Sequence, residues 1–247
     1  PRRMVRLCVT YAFFIFAMTF GVITLANLIA YFIKDEIIAL LMYSVLCVTP
    51  ILAPLVLMLA ALVNAPFENA NNRRYINRTK RILENSDCVK IGITGSYGKT
   101  GVKNILTTLL SQKYNVLSTP ASFNTPMGLT RVIRERLEPA HQVFLAEMGA
   151  RHRKDIKELT DFIHPAIGVL VSVGPQHLDT FKTMENIIDT KYDLIRALPA
   201  DGFAAFSDDG GVCADLYAKT THVPKAIVNR KGGDVWAEDM RVSDQGS

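Results

Sequence analysis

Two stretches of this 247-residue sequence, 7–33 and 37–67, contain no charged side chain. Runs of that length rarely occur in soluble cores, and they exceed the ~20 apolar residues that a membrane span requires. Cysteine is scarce too: Cys8, Cys47, Cys88 and Cys213 are the full set, and no two have C-x-x-C spacing. That excludes a zinc cage or a disulfide framework and fits a reducing compartment. The sequence has no internal repeat and no low-complexity tract, which excludes a repeat architecture. A basic domain face is also missing. Arg2, Arg3 and Arg6 precede the first uncharged stretch, and Arg73, Arg74, Arg78, Lys80 and Arg81 follow the second. These eight charges exceed the net charge of +5 and leave about −3 for the remainder. A nucleic-acid binder carries its positive charge on the folded domain, so nucleic acid is excluded as a partner.

The uncharged runs predict two membrane spans, Val9–Ile33 and Ile37–Val63, separated by Lys34-Asp35-Glu36 and forming a hairpin over residues 1–67. Pro50 and Pro54 are expected to kink the second helix. Arginines outside both ends place them on the cytoplasmic side. The expectation is therefore a multi-pass protein of the cytoplasmic membrane, with the lipid bilayer as one partner. Residues 68–87 form a basic linker in which Tyr75, Ile76, Ile82 and Leu83 share a helical face. That face either lies on an anionic bilayer or packs on the domain that follows.

From residue 88 the pattern changes to short apolar runs alternating with helical stretches. Strands are predicted at 89–94, 115–118, 142–148, 166–173, 202–207 and 225–229, with helices from the first turn to about Ser111, over Arg153–Ile163 and over Met184–Ala197. This alternation predicts an α/β domain over 88–247, a mostly parallel sheet with helices on both faces. Ligands in such folds bind at the carboxyl ends of the strands.

The first strand runs into Thr94-Gly95-Ser96-Tyr97-Gly98-Lys99-Thr100. Glycines let the backbone turn so that N–H groups point into one hollow, and the next helix adds its positive N-terminus. Gly95, Ser96, Tyr97, Gly98, Lys99 and Thr100 are thus the candidate ATP-binding residues, with Lys99 on the phosphates and the Thr100 hydroxyl on Mg²⁺. The match to G-x-x-x-x-G-K-[ST] is incomplete, because Ile93 stands at the first glycine.

The form T-G-x-x-G-K-T resembles the nucleotide loop of the Mur ligases, and four further segments agree in order and spacing. Thr119–Gly128 resembles T-P-x-x-x-N-x-x-x-G. Ala146-Glu147-Met148-Gly149-Ala150 resembles the E-M-G-A motif of the MurF branch. Ser172–Asp179 resembles N-I-G-P-A-H-L-E, and Asp189-Thr190-Lys191 stands where the family has A-K. The resemblance covers residues ~70–245. It implies an ATP-dependent amide ligase of peptidoglycan synthesis that works through an acyl phosphate. The partners would be a muramyl-peptide-like acceptor and an amino acid or a dipeptide such as D-Ala-D-Ala, and the cofactors ATP and Mg²⁺. It further implies that Lys99, His177 and Lys191 are catalytic. Thr100 and Glu147 would hold one metal ion, His177 and a carbamylated Lys191 a second. Asn124 and Thr125 would lie near the substrate. Independently of the family, hard oxygen donors such as Thr and Glu suit Mg²⁺.

Three positions depart from the family pattern: Gly101 replaces a second hydroxyl residue, Ser207-Asp208-Asp209 replaces N-x-D-D, and Lys154 stands where glycine is common. Arg151-His152-Arg153-Lys154 is a basic run suited to an anionic substrate or to a solvated helix start. Mur ligases usually carry a UDP-sugar domain before this one and a closing domain after it. Here the two expected spans take the place of the first, a layout that resembles MurF-like proteins with amino-terminal membrane helices, so a UDP-linked acceptor is not implied. The chain is accordingly expected to be truncated at its carboxyl end and inactive alone. The alternatives are another ligase of the superfamily, a phosphate-loop kinase, and a nucleotide-binding scaffold without turnover. The kinase is disfavoured by the lack of an Asp-ended second strand and a tyrosine-rich tail.

Overall fold

The computed structural model describes residues 2–33, 36–120, 123–208, 211–228, 233–236 and 238. Lys34 and Asp35 of the expected hairpin turn, Ala121, Ser122, Asp209, Asn229 and residues 239–247 lie outside the described residues. The chain divides into two units, Pro1–Asn71 and Asn72–Ser247.

The first unit holds α1 (Arg2–Ile33) and the first part of α2 (Glu36–Glu84). Within it the Asn64 amide donates to the Tyr11 hydroxyl at 3.1 Å. The expected pair of spans is corrected here: among the described residues no helix is long and apolar enough to cross a membrane. Lack of charge does not by itself make a span: the first run also carries Thr19, Thr24 and Asn27, each of which donates to the carbonyl four residues back. The second carries Ser44 and Asn64, and α2 continues through Pro50 and Pro54 into the polar stretch 68–84. The expected placement in the membrane is corrected with the spans, and the bilayer as a partner is left without support.

The second unit begins inside α2. Its last turns bury Leu83 and Thr79 and pack Ile76 on the core, whereas Ile82 and Tyr75 stay exposed. The inward face is therefore Ile76–Thr79–Leu83, at helical spacing, rather than the four residues expected, and it packs against the domain. The Lys80 ammonium donates to the Asp161 carbonyl at 2.8 Å, and Arg134 lies over the Tyr75 ring at 5.1 Å.

Six strands follow: β1 (Val89–Thr94), β2 (Val116–Ser118), β3 (Val143–Glu147), β4 (Ile167–Leu170), β5 (Phe203–Ser207) and β6 (Lys225–Val228). They alternate with α3 (Lys99–Leu110), α4 (Pro126–Arg136), α5 (Asp155–Ile163), α6 (Leu178–Phe181), α7 (Met184–Arg196) and α8 (Val212–Lys219). The order across the sheet is β2-β3-β1-β4-β5-β6, and every pairing is parallel. The parallel α/β expectation holds.

Alternation along each strand divides the core. Ile91, Ile93, Val143 and Leu145 point to the face covered by Val102, Leu106 and Leu110 of α3. Phe144 and Ala146 point to the opposite face, with Leu129, Ile156, Leu159, Ile187 and Leu194 from α4, α5 and α7. Burying side chains such as Phe144 and Leu145 stabilises the fold by about 1.5–3 kcal/mol each. Gly92 lies in β1 because α7 comes close: a Cβ there would stand 2.7 Å from Leu194 Cδ1. The chain leaves β1 for the edge strand β2, returns to β3 beside β1, then crosses to β4 on the other side. The carboxyl ends of β3, β1 and β4 therefore meet at one crevice.

Candidate nucleotide and metal site

The phosphate loop leaves β1 at Thr94, whose hydroxyl donates to the Met148 carbonyl at 3.0 Å. Gly95 has φ 154° and Gly98 φ 80°. A Cβ on Gly95 would lie 2.9 Å from the Ser172 carbonyl oxygen, so the loop can back onto the chain after β4 only with glycine there. Several bonds fasten that contact. The Ser96 N–H donates to the Ser172 carbonyl at 2.6 Å. The Ser96 hydroxyl donates to the Gly174 carbonyl at 2.9 Å and accepts from the Gly174 N–H at 3.0 Å. The Tyr97 N–H donates to the Ser172 hydroxyl at 3.2 Å, and the Tyr97 hydroxyl to the Pro175 carbonyl at 2.9 Å. This is why β4 ends at Leu170 and not at residue 173: past Thr94 the neighbouring chain is loop, and Ser172 serves the loop.

At the start of α3 the first turn has N–H groups without helical acceptors, and the Lys99 ammonium folds back to the Gly95 carbonyl at 2.8 Å and the Ser96 carbonyl at 3.1 Å. Burial lowers the Lys99 pKa, against an opposing pull from Glu147. Thr100 turns the other way and donates to Glu147 Oε2 at 3.0 Å.

Glu147 ends β3 with its side chain 3% exposed. Its backbone N–H donates to the Thr119 hydroxyl at 3.1 Å, Oε1 accepts from the Asn124 amide at 3.3 Å, and Oε2 also accepts from Lys103 at 3.0 Å. Gly149 lets Asn124 approach, since a Cβ there would meet the amide at 2.7 Å. Thr125 caps α4 by accepting from the Gly128 N–H at 3.3 Å, with Pro126 in the first turn.

These side chains open on a cavity of about 840 Å³ whose wall includes Gly98, Lys99, Thr100, Asn124, Thr125, Glu147 and His177. His177 immediately precedes α6, at φ 55°. Gly95, Ser96, Tyr97 and Lys191 are not on the wall. Lys191 is buried in α7, and its pKa is lowered to about 8 by burial and by the like charge of Lys99, with Asp155 pulling the other way. Arg151, His152, Asp155 and Gln176 also line the cavity. Asp155 Oδ2 accepts from the backbone N–H groups of Arg151 and His152 at 2.8 and 2.9 Å. The basic run is thus both a helix start and part of the wall.

Sequence reasoning missed Lys103. A lysine four residues after Lys99, between Val102 and the apolar positions of an amphipathic helix, was the available signal, because it falls on the side that meets the sheet. The implied Mg²⁺ fits this donor set in a limited way. Glu147 and Thr100 supply hard oxygens. Among the described residues, however, no group of three or more His, Cys, Asp or Glu could hold a metal ion. Mg²⁺ commonly takes one or two carboxylates and completes its shell with phosphate oxygens and water, which is what this site offers.

Fold and site together define a phosphate-loop α/β domain with an acidic residue at the end of the neighbouring strand. The sequence pattern of the Mur ligase middle domain matches residues 93–247, and the chain belongs to the Mur ligase family. Its likeness is to the MurF branch. It is 36% identical over 148 residues to the UDP-N-acetylmuramoyl-tripeptide–D-alanyl-D-alanine ligase of Mycobacterium bovis, covering 60% of this chain and 29% of that protein. The Synechocystis protein of the same name is 31% identical, covering 59% and 32%. The chain therefore spans about a third or less of these relatives. Among solved structures, the MurF ligase of Thermotoga maritima in complex with ADP aligns with a TM-score of 0.60 at 31% identity, covering 66% of this chain and 38% of that one. MurF of Acinetobacter baumannii shares the fold, with a TM-score of 0.64 at 24% identity over 69% and 38%.

Proposed function

We propose that this domain binds ATP with Mg²⁺ and serves an amide ligase of peptidoglycan synthesis. That enzyme would join a dipeptide such as D-Ala-D-Ala to a muramyl-tripeptide carboxylate. The observation that carries the proposal is the meeting of Lys99, Thr100 and Glu147 on one cavity at the carboxyl ends of β1 and β3. Joining a carboxylate to an amine requires a better leaving group on the acyl carbon. The acceptor carboxylate takes the γ-phosphoryl group and ADP leaves; the amine nitrogen then attacks the acyl carbon, losing a proton as phosphate departs.

In this reading the first-turn N–H groups of α3 and the Lys99 ammonium hold the phosphates. Thr100 and Glu147 would hold the metal ion, whose chemistry there would be to neutralise phosphate charge. Asn124 orients Glu147 and, with Thr125, stands beside the acceptor. His177 and a carbamylated Lys191 would serve a second ion. The family resemblance supports that pair, and the pKa of about 8 supports carbamylation, because only the neutral amine adds CO₂. The nucleotide domain of this reading is 88–247.

Binding of a fluorescent ADP analogue with Mg²⁺ to the 247-residue chain tests the first half. Lys99→Ala and Glu147→Gln are each expected to weaken it at least tenfold. Affinity unchanged in both variants refutes this use of the loop.

A further inference from the structure

We infer that Lys103 makes divalent-cation binding at Glu147 conditional on bound nucleotide. The inference rests on the proposed reading of Glu147 and Thr100 as the metal-binding pair.

Glu147 is satisfied by groups of the protein itself. Lys103 and Thr100 donate to Oε2, each at 3.0 Å, and Asn124 donates to Oε1 at 3.3 Å. The Lys103–Glu147 ion pair is buried, with side chains 2% and 3% exposed. A surface lysine would swing into water when a cation arrives. Lys103 cannot, because its helix packs this side on the sheet through Val102 and Leu106. Its charge therefore stays beside the carboxylate, which is why the pair matters here although exposed ion pairs count for little. Lys99 adds a second positive charge close enough to act on Glu147.

A bare dication thus meets one carboxylate whose charge is already matched and two ammonium groups that repel it. It also finds no group of three or more His, Cys, Asp or Glu able to hold a metal ion among the described residues. A polyphosphate reverses each condition. It brings negative charge to Lys99 and the α3 N-terminus, and it supplies oxygen ligands. Lys103 then keeps Glu147 oriented without being displaced, since a carboxylate oxygen accepts from more than one direction. It is a positioning residue: the metal enters with the nucleotide and not before it.

Mn²⁺ titration followed by electron paramagnetic resonance tests this on the 247-residue chain, without turnover. For wild type, Mn²⁺ alone is expected to bind at least tenfold more weakly than Mn²⁺ with saturating ADP. Lys103→Gln, whose amide can still donate to Glu147, and Lys103→Met are expected to raise nucleotide-free Mn²⁺ affinity at least fivefold and to change the ADP-dependent affinity less. Equal wild-type affinity with and without ADP overturns the inference even if neither variant folds. So does a nucleotide-free affinity within twofold of wild type in both variants. Glu147→Gln separates the two levels. Loss of Mn²⁺·ADP binding in that variant supports the metal reading on which the inference stands, whereas retention removes that reading and the inference with it.

Discussion

Lys154 and Lys191 show how much a single position can carry. Lys154 has φ 74° immediately before α5, a left-handed conformation that an L side chain adopts at a cost and glycine adopts freely. The sequence flagged this position as one where relatives often have glycine, and the backbone keeps the geometry glycine suits. Lys154→Gly is expected to stabilise the chain by about 0.5–1 kcal/mol, net of the entropy glycine adds to the unfolded state, as read by urea denaturation; a loss of stability would mean the side chain has a role of its own. Lys191 is a different case. Its pKa falls from 10.5 to about 8, so the unfolded chain binds the proton more tightly than the folded one. The cost of burying the charge is fully present below pH 8, and stability from this group rises between about pH 8 and 10.5. A shift of this size corresponds to roughly 3 kcal/mol. In CO₂-free buffer Lys191→Met is expected to gain up to that amount at pH 7 and little at pH 10.5; equal effects at both would show that charge burial is not the cause. Glu147, Lys99 and Thr100 were legible because each sits in a motif at a strand or helix end. Lys103 was legible only as a lysine on the sheet-facing side of α3; its partner is 44 residues away and only the fold brings them together.

At the scale of elements, α3 combines a functional N-terminus with a weak first turn. Gly101 lies in that turn, and a Cβ there would have no atom within 4 Å. Glycine inside a helix costs about 0.5–1 kcal/mol relative to alanine. Gly101→Ala should recover that amount in thermal unfolding without weakening ADP binding, and weaker binding would show that the loop needs the glycine's freedom. Strands β1, β3 and β5 were legible as apolar runs with polar or glycine ends. The apolar run 166–173 extends past β4 because its continuation pairs with the phosphate loop, which periodicity does not reveal. α4 starts at Thr125-Pro126, a strong helix-start signal that the surrounding family loop motif obscures in the sequence. The helical face of residues 75–83 was read two positions too wide for the same kind of reason: tertiary packing selects Ile76, Thr79 and Leu83.

For the whole molecule, the parallel sheet and the position of its site followed from alternating strands and helices, because connections in such sheets are constrained. The misreading concerned residues 1–67, where a count of missing charges stood in for the apolarity of a helix. On the proposed function, the cavity between β1 and β3 serves ATP-driven amide formation. The most direct test is ADP release by the full-length protein given a muramyl-tripeptide acceptor and D-Ala-D-Ala, in wild type, Lys99→Ala and Lys191→Ala. Release that requires both substrates and falls at least a hundredfold in each variant is the predicted result. Release without acceptor, or turnover that survives the loss of Lys99, would contradict the account.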